Sequence, residues 1–226
     1  MMIPSTVTTT SSTFQFATAL SRKTDTEAAV RDLADAIRTQ FGAAPIDLAF
    51  VFFSAHHAEK ASMISSMLQS ELRARVCLGC SGEGVIAGSE EIETAAALTL
   101  WVACLPHVKV TPLRLSVSQL QDQILMPGWP EPGLEDSTFL LLADPFSTPT
   151  QEVLALMNDR YPQGKVIGGL AGGGQDSGEN RLLLNDQVFD GGLVGVQLTG
   201  PIAVRSVTSQ GCRPIGERFV VTRAEG

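Results

Sequence analysis

A mixed α/β fold, built from two related halves whose mixed sheets are covered by helices, is predicted by three features of this chain. Apolar runs at residues 46–53 and 138–143 are short and nearly continuous, the pattern of strands covered on both faces. Each is followed by a segment with helical apolar spacing. Each helix then leads to a second apolar run that stops in a glycine-rich bend, Val76 to Gly84 in the first case and Val166 to Gly174 in the second. Strand–helix–strand units normally hold their strands parallel through a right-handed crossover.

The Ser/Thr-rich stretch 1–13 has no charged side chain and reads as a flexible tail ahead of a domain over 14–222. Phe14 to Leu20 is a first strand. Thr24 and Glu27 suggest a capping box for a helix whose apolar face is Val30, Leu33, Ala34, Ile37 and Phe41, with Gly42 as its stop. A second helix is expected from about Ala58 to Leu72, facing inward through Met63, Ile64, Met67, Leu68 and Leu72. Val76 to Gly79 is the next strand. Beyond the bend, acidic Glu90, Glu91 and Glu93 lead into a strand over Ala95–Leu105, with Val108–Leu115 as its hairpin partner.

Residues 121–136, richer in Pro and Gly, read as a surface connection between pseudo-repeats of about 46–115 and 136–207. In the second, Thr138–Ala143 is a strand. Thr148-Pro149-Thr150-Gln151 is a helix start, with Pro in the first helical position and Gln reaching back to the cap. Val153, Leu154 and Met157 form the apolar face. Lys165–Gly169, Leu182–Leu184, Leu193–Leu198 and Ile202–Val207 are strands, with Asn180-Arg181 and Asp190-Gly191-Gly192 as hairpin turns. Laid over one another at a shift of ninety, Ile46–Gly84 and Asp136–Gly174 need no gap. Gly79, Gly82 and Gly84 then meet Gly169, Gly172 and Gly174.

Composition narrows the function classes. Hydrophobic residues are 44% and charged residues 18%, which argues for a globular core. The formal net charge of −8 and the lack of a Lys/Arg stripe speak against nucleic acid as a partner. No apolar run reaches the length of a membrane span, so neither membrane insertion nor a signal peptide is expected. Four cysteines fit reduced core thiols in the cytoplasm better than a disulfide framework.

Ligands of open α/β sheets gather outside the carboxyl ends of the strands. Ser54 and Asp144 directly follow the two buried strands, and Ser147 lies close behind. With them the expected ligand-binding set takes Cys80, Ser81, Gly82 and Glu83 from the first bend, and Gly169, Gly172 and Gly173 from the second. Glu83, the one charged residue in either bend, would hold an ammonium group, and bend N–H groups a carboxylate. The bends lack the Lys-Ser/Thr ending of a phosphate loop and the spacing of a dinucleotide fingerprint. Cys77 and Cys80 have zinc-like spacing without a second ligand pair, so no metal is expected. A hydrolase using Cys80 or Ser81 lacks the nucleophile-elbow pattern. Haem through His56, His57 or His107 stays an alternative; no cofactor is the first expectation.

The order of these segments resembles the N-terminal domain of FIST proteins, named for F-box and intracellular signal transduction. The resemblance rests on Val51-Phe52-Phe53-Ser54, the Leu78–Ile86 bend, the Glu90–Glu93 acidic entry and Leu105-Pro106. It continues in Val166–Ala171 and Gly191–Val196, and ends in Gln210-Gly211-Cys212-Arg213-Pro214-Ile215-Gly216, the most distinctive motif. It implies a cytoplasmic, non-enzymatic sensory domain that binds a small ligand such as an amino acid. Its implied partners are a FIST C-terminal domain, whose start would fall at 210–226, or a downstream signalling module. It also leaves two alternatives, a protein-interaction scaffold of the F-box type and a haem-based gas sensor.

Overall fold

The computed structural model describes residues 13–115, 118–120, 123–125, 127–130 and 137–207, together with Gly216, Val220 and Arg223. Almost all of the expected tail, the Gln210–Gly216 motif apart from its last residue, and Cys212 therefore lie outside the described residues. Along the chain, β1 (Gln15–Ser21) leads to α1 (Thr26–Phe41), β2 (Leu48–Ser54), a 3-10 turn over Ala55–Lys60, α2 (Ala61–Leu72) and β3 (Val76–Gly82). A small hairpin, β4 (Val85–Ala87) and β5 (Glu90–Ile92), precedes β6 (Leu98–Cys104) and β7 (Lys109–Leu115). There follow β8 (Ser118–Leu120), β9 (Gln123–Leu125), β10 (Thr138–Ala143), α3 (Thr150–Arg160) and β11 (Lys165–Leu170). The hairpin β12 (Leu182–Leu184) and β13 (Gln187–Phe189) comes before β14 (Leu193–Thr199).

The first sheet has the order β1-β6-β2-β3-β12-β13 and the second β11-β10-β14-β7. Four strands of each repeat one another: β1-β6-β2-β3 corresponds to β7-β14-β10-β11, with the same strand sense at every pairing. Both parallel pairs are the predicted strand–helix–strand units. The registers repeat too: Gln15 faces Cys104 as Lys109 faces Thr199, and Leu48 faces Ala103 as Thr138 faces Leu198. Only the last ladder slips. Leu48 faces Val76 but Thr138 faces Lys165, so the second unit is one residue shorter between its parallel strands. The gapless overlay is thus one residue out past the helix, and Gly79 corresponds to Gly168 rather than Gly169.

Several local expectations are corrected. Val108–Leu115 is no hairpin partner of the preceding strand: β1 and β2 occupy both edges of β6, and β7 crosses to pair with β14. The α1 cap is Asp25, whose carboxylate accepts from the Ala28 N–H at 2.9 Å, one residue after the expected Thr24. The α2 segment opens with the 3-10 turn, and Ile64 and Leu68 point inward while Met63 is exposed. Pro149 is the cap of α3 rather than its first residue, and Thr148 is not a capping side chain because its Oγ1 donates to Gly192 O at 2.9 Å. Residues 202–207 form no strand.

Asp190-Gly191-Gly192 joins β13 of the first sheet to β14 of the second, so it is a crossing between sheets, not a hairpin turn. Arg114 braces it, donating to Gly191 O at 2.8 Å and Leu193 O at 3.1 Å with its guanidinium stacked on Phe189. The true hairpin turn is Asn185-Asp186, where Asn185 takes φ +56°, a left-handed conformation that Asn tolerates.

Three apolar clusters follow from these layers. α1 and α2 cover one face of the first sheet through Val30, Leu33, Ile37, Ile64 and Leu68. α3 covers one face of the second through Val153, Met157 and Tyr161 against Phe139 and Leu141. Between the sheets, Leu78, Cys80 and Leu182 pack with Leu142, Val194 and Val196. Among the described residues no helix is long and apolar enough to cross a membrane.

Candidate ligand site

The two glycine bends meet. Ser81 and Gly172 lie at the carboxyl ends of the parallel strands β3 and β11, and the Gly172 N–H donates to Ser81 O at 3.0 Å. Gly173 takes φ +90°, and a Cβ there would come within 3.0 Å of Gly82 O and 3.2 Å of the Ala55 side chain. Only glycine suits so tight a backbone crossing in that conformation. Ser81 also anchors the strand entering the donated hairpin: its N–H donates to Arg181 O at 2.9 Å and its Oγ accepts from the Arg181 N–H at 3.0 Å.

Around this crossing lies a cavity of about 250 Å³, lined by Ala55, Ala58, Glu59, Ser81, Gly172, Gly173, Gly174, Gly178, Glu179 and Arg181. It carries charge of both signs. The Glu179 carboxylate accepts from the Gln175 N–H at 2.7 Å and the Asp176 N–H at 3.2 Å, and these bonds hold it below the usual carboxylate range. Arg181 donates from one nitrogen to Gly178 O and Asn180 O. A larger apolar groove of about 510 Å³ opens beside it between the sheets, with Phe50, Phe52, Cys80, Leu140, Leu142 and Ile167 among its walls.

Ser81, Gly172 and Gly173 of the expected set line the small cavity. Cys80, Gly82 and Gly169 line the apolar groove instead. Ser54 and Asp144 do end the two parallel strands but line neither. Ser54 is buried, its Oγ accepting from the Ala97 N–H at 3.1 Å. Asp144 is fully buried and accepts from Ser147 N–H at 2.9 Å, Ser147 Oγ at 2.6 Å and Asn180 Nδ2 at 3.0 Å. Asn180 Oδ1 in turn accepts from the Gly174 N–H at 3.0 Å. Asp144 and Ser147 therefore position the second bend through Asn180. Asn180-Arg181 is this anchor rather than a hairpin turn. Glu83 is exposed and lines neither cavity.

Glu59, Glu179 and Arg181 also line the small cavity, and the sequence did not single them out. Glu59 was hidden in a helix that the structure begins later, and Arg181 in a supposed turn.

A shared metal site on Cys77 and Cys80 and a cysteine nucleophile lose their geometry. Cys77 and Cys80 are three residues apart on one strand and face opposite sides of the sheet, one toward the helices and the other toward the second sheet. They cannot share a metal ion. Burial pushes both thiols up to about 12, which removes the thiolate a nucleophile needs. His57 is fully buried with Nδ1 2.9 Å from Thr26 Oγ1. His107 lies beyond the opposite end of β2 from His56 and His57, because β6 runs antiparallel to β2. Roughly 20 Å of strand separates the two positions. His107 is therefore not a neighbour of His56 and His57.

A bend-lined cavity is carried on two repeated sheets, and among the described residues no cluster of His, Cys, Asp and Glu is placed to hold a metal ion. The FIST N domain family model matches residues 47–226, and the chain belongs to that family, a signal-transduction class of sensor-type domains. Among similar proteins, uncharacterized protein Rv0628c of Mycobacterium tuberculosis is 32% identical over 202 residues, covering 89% of this chain and 52% of that protein. Uncharacterized protein Mb0898c of Mycobacterium bovis is 32% identical over 200 residues, 88% of this chain and 51% of its own length. The chain spans about half the length of these relatives.

Proposed function

We propose that this domain is a cytoplasmic sensor that binds a small amino-acid-like ligand in the cavity where the two glycine bends cross. The observation that carries the reading is the pairing of opposite charges, Glu59 and Glu179 against Arg181, around a glycine crossing drawn from both halves. A zwitterion matches that lining, its carboxylate toward Arg181 and its ammonium toward Glu59. The volume of about 250 Å³ suits a ligand of amino-acid size. Because both halves contribute walls, occupancy favours one spacing of the bends, and that spacing is what a neighbouring FIST C-terminal domain or signalling module would sense. A ligand shifts such an equilibrium only by its differential affinity for the two states.

The experiment is a thermal-shift screen of the twenty amino acids and small dicarboxylates, followed by calorimetry on any hit. Binding raises the melting temperature by mass action. Arg181→Met is expected to weaken a hit at least about tenfold through loss of a charge-assisted bond, while Glu83→Ala leaves it unchanged. Flat responses across the panel, or a hit indifferent to Arg181→Met, overturn the reading.

A further inference from the structure

We infer that β11 is an acceptor edge for a β-hairpin supplied by a further repeat of this fold, as β3 accepts β12–β13 within the chain. The inference concerns a surface separate from the small cavity and stands independently of any ligand there.

The two edges correspond residue by residue. Lys165 N–H donates to Ser137 O at 2.9 Å and Ala171 N–H to Ala143 O at 2.8 Å, so alternate residues of β11 bond to β10. Val166, Gly168 and Leu170 therefore turn their N–H and C=O groups to the other side, where the sheet order ends. On β3 the equivalent residues are Cys77, Gly79 and Ser81, and there the groups are taken. Ser81 N–H donates to Arg181 O at 2.9 Å, and Cys77 O accepts from the Asn185 N–H at 2.7 Å.

The space beneath the helices tells the same story. Under α2 the hairpin's Leu183 is fully buried in one cluster with Ile64, Leu68 and Cys77. Under α3 the corresponding place is a cavity of about 330 Å³, bounded by Val153, Leu154, Val166, Gly168 and Leu170. Ile64, clustered with Leu183, is 0% exposed, whereas Leu154 at the edge of this cavity is 42% exposed. Leu170 is 54% exposed. An apolar edge with one charge, Lys165 at its start, has none of the usual devices against pairing along its length.

The donor is not the first half. Its hairpin β4–β5 has the same layout as β12–β13, two three-residue strands around a two-residue turn. However, Val85 and Ile92 are buried with Ala97, Leu20 and Phe52 of the first half itself. Donation thus runs head to tail, from the second half to the first, and leaves β11 without a donor among the described residues. The occupant is the β-hairpin of a following repeat. The mycobacterial relatives carry nearly as much chain outside the matched stretch as within it, enough for another such pair of halves.

The test uses the full chain and a synthetic peptide with the sequence of residues 179–191, the one hairpin seen to fit an edge of this fold. Hydrogen exchange is followed at the amides of Val166, Gly168 and Leu170. Millimolar peptide is expected to slow them about tenfold, leave Cys77, Gly79 and Ser81 unchanged, and lose its effect with Leu183→Pro in the peptide or Leu154→Asp in the chain. Unaltered exchange at the three amides overturns the inference. So does protection that grows with protein concentration in the absence of peptide, since a second copy would then be the occupant.

Discussion

Gly79 and Gly168 occupy one and the same point in the two halves: each faces the neighbouring parallel strand so closely that a Cβ would overlap a carbonyl oxygen, that of Val51 in one sheet and Leu141 in the other. This pair, not the glycines of the bends, marks the internal repeat most sharply. Gly79→Ala and Gly168→Ala are each expected to destabilise the fold by about 2–3 kcal/mol through overpacking against rigid backbone. Gly169→Ala has open space around its Cβ and serves as the control, expected within about 0.5 kcal/mol of the parent. Urea midpoints at constant m-value measure all three.

Asp144 holds three donors in a fully buried setting. Asp144→Ala leaves Asn180 Nδ2 and the Ser147 groups without their acceptor, at a cost of about 3 kcal/mol. The second bend loses its link to β10 as well. Faster amide exchange at Gly174 than the stability change alone explains is the expected signature.

His57 makes stability depend on pH. Burial first, and then the positive charges of His56 and Lys60, hold its imidazole below the usual histidine range, against the smaller pull of Asp25. The unfolded chain therefore binds a proton, below about pH 6.5, that the native protein refuses. The stabilisation is complete above that pH and is lost as the pH falls through the native value. His57→Phe is expected to flatten stability against pH between about 6.5 and 5, above the range where carboxylates titrate. An unchanged slope rejects the assignment.

Cys77 and Cys80 are expected to resist alkylation in the native state. With thiols at about 12 and no exposed sulfur, labelling in a Cys212→Ser background follows global unfolding rather than local chemistry. Labelling rates that track urea concentration, as measured by mass spectrometry, check this. Rapid native labelling of Cys80 would restore the nucleophile reading.

Much of the architecture was legible because apolar runs are strong signals. Strands β10, β12 and β14 lie where their runs place them, and the parallel pairing of both units follows from their length and helical spacers. What stayed hidden was pairing at a distance. Nothing in Val108–Leu115 says that its partner lies beyond residue 190, and nothing in Leu182–Leu184 says that it serves the first sheet. The site was half legible for the same reason. Glycine bends announce themselves, so Ser81, Gly172 and Gly173, which line the cavity at the crossing, were legible in the sequence. Asp144 and Ser54 sit at strand ends as expected, but their hydrogen bonds turn inward. Arg181 became visible only once the crossing hairpin brought it over the first bend.

The loan of β12–β13 to the first sheet also sets an order of events during synthesis. β3 is complete when residue 82 leaves the ribosome, but its partner strand begins at residue 182. At cellular elongation rates the nascent first half waits roughly 5–20 s with an unclosed border. A chaperone, or slow translation of the intervening stretch, would have its greatest leverage on yield in that interval.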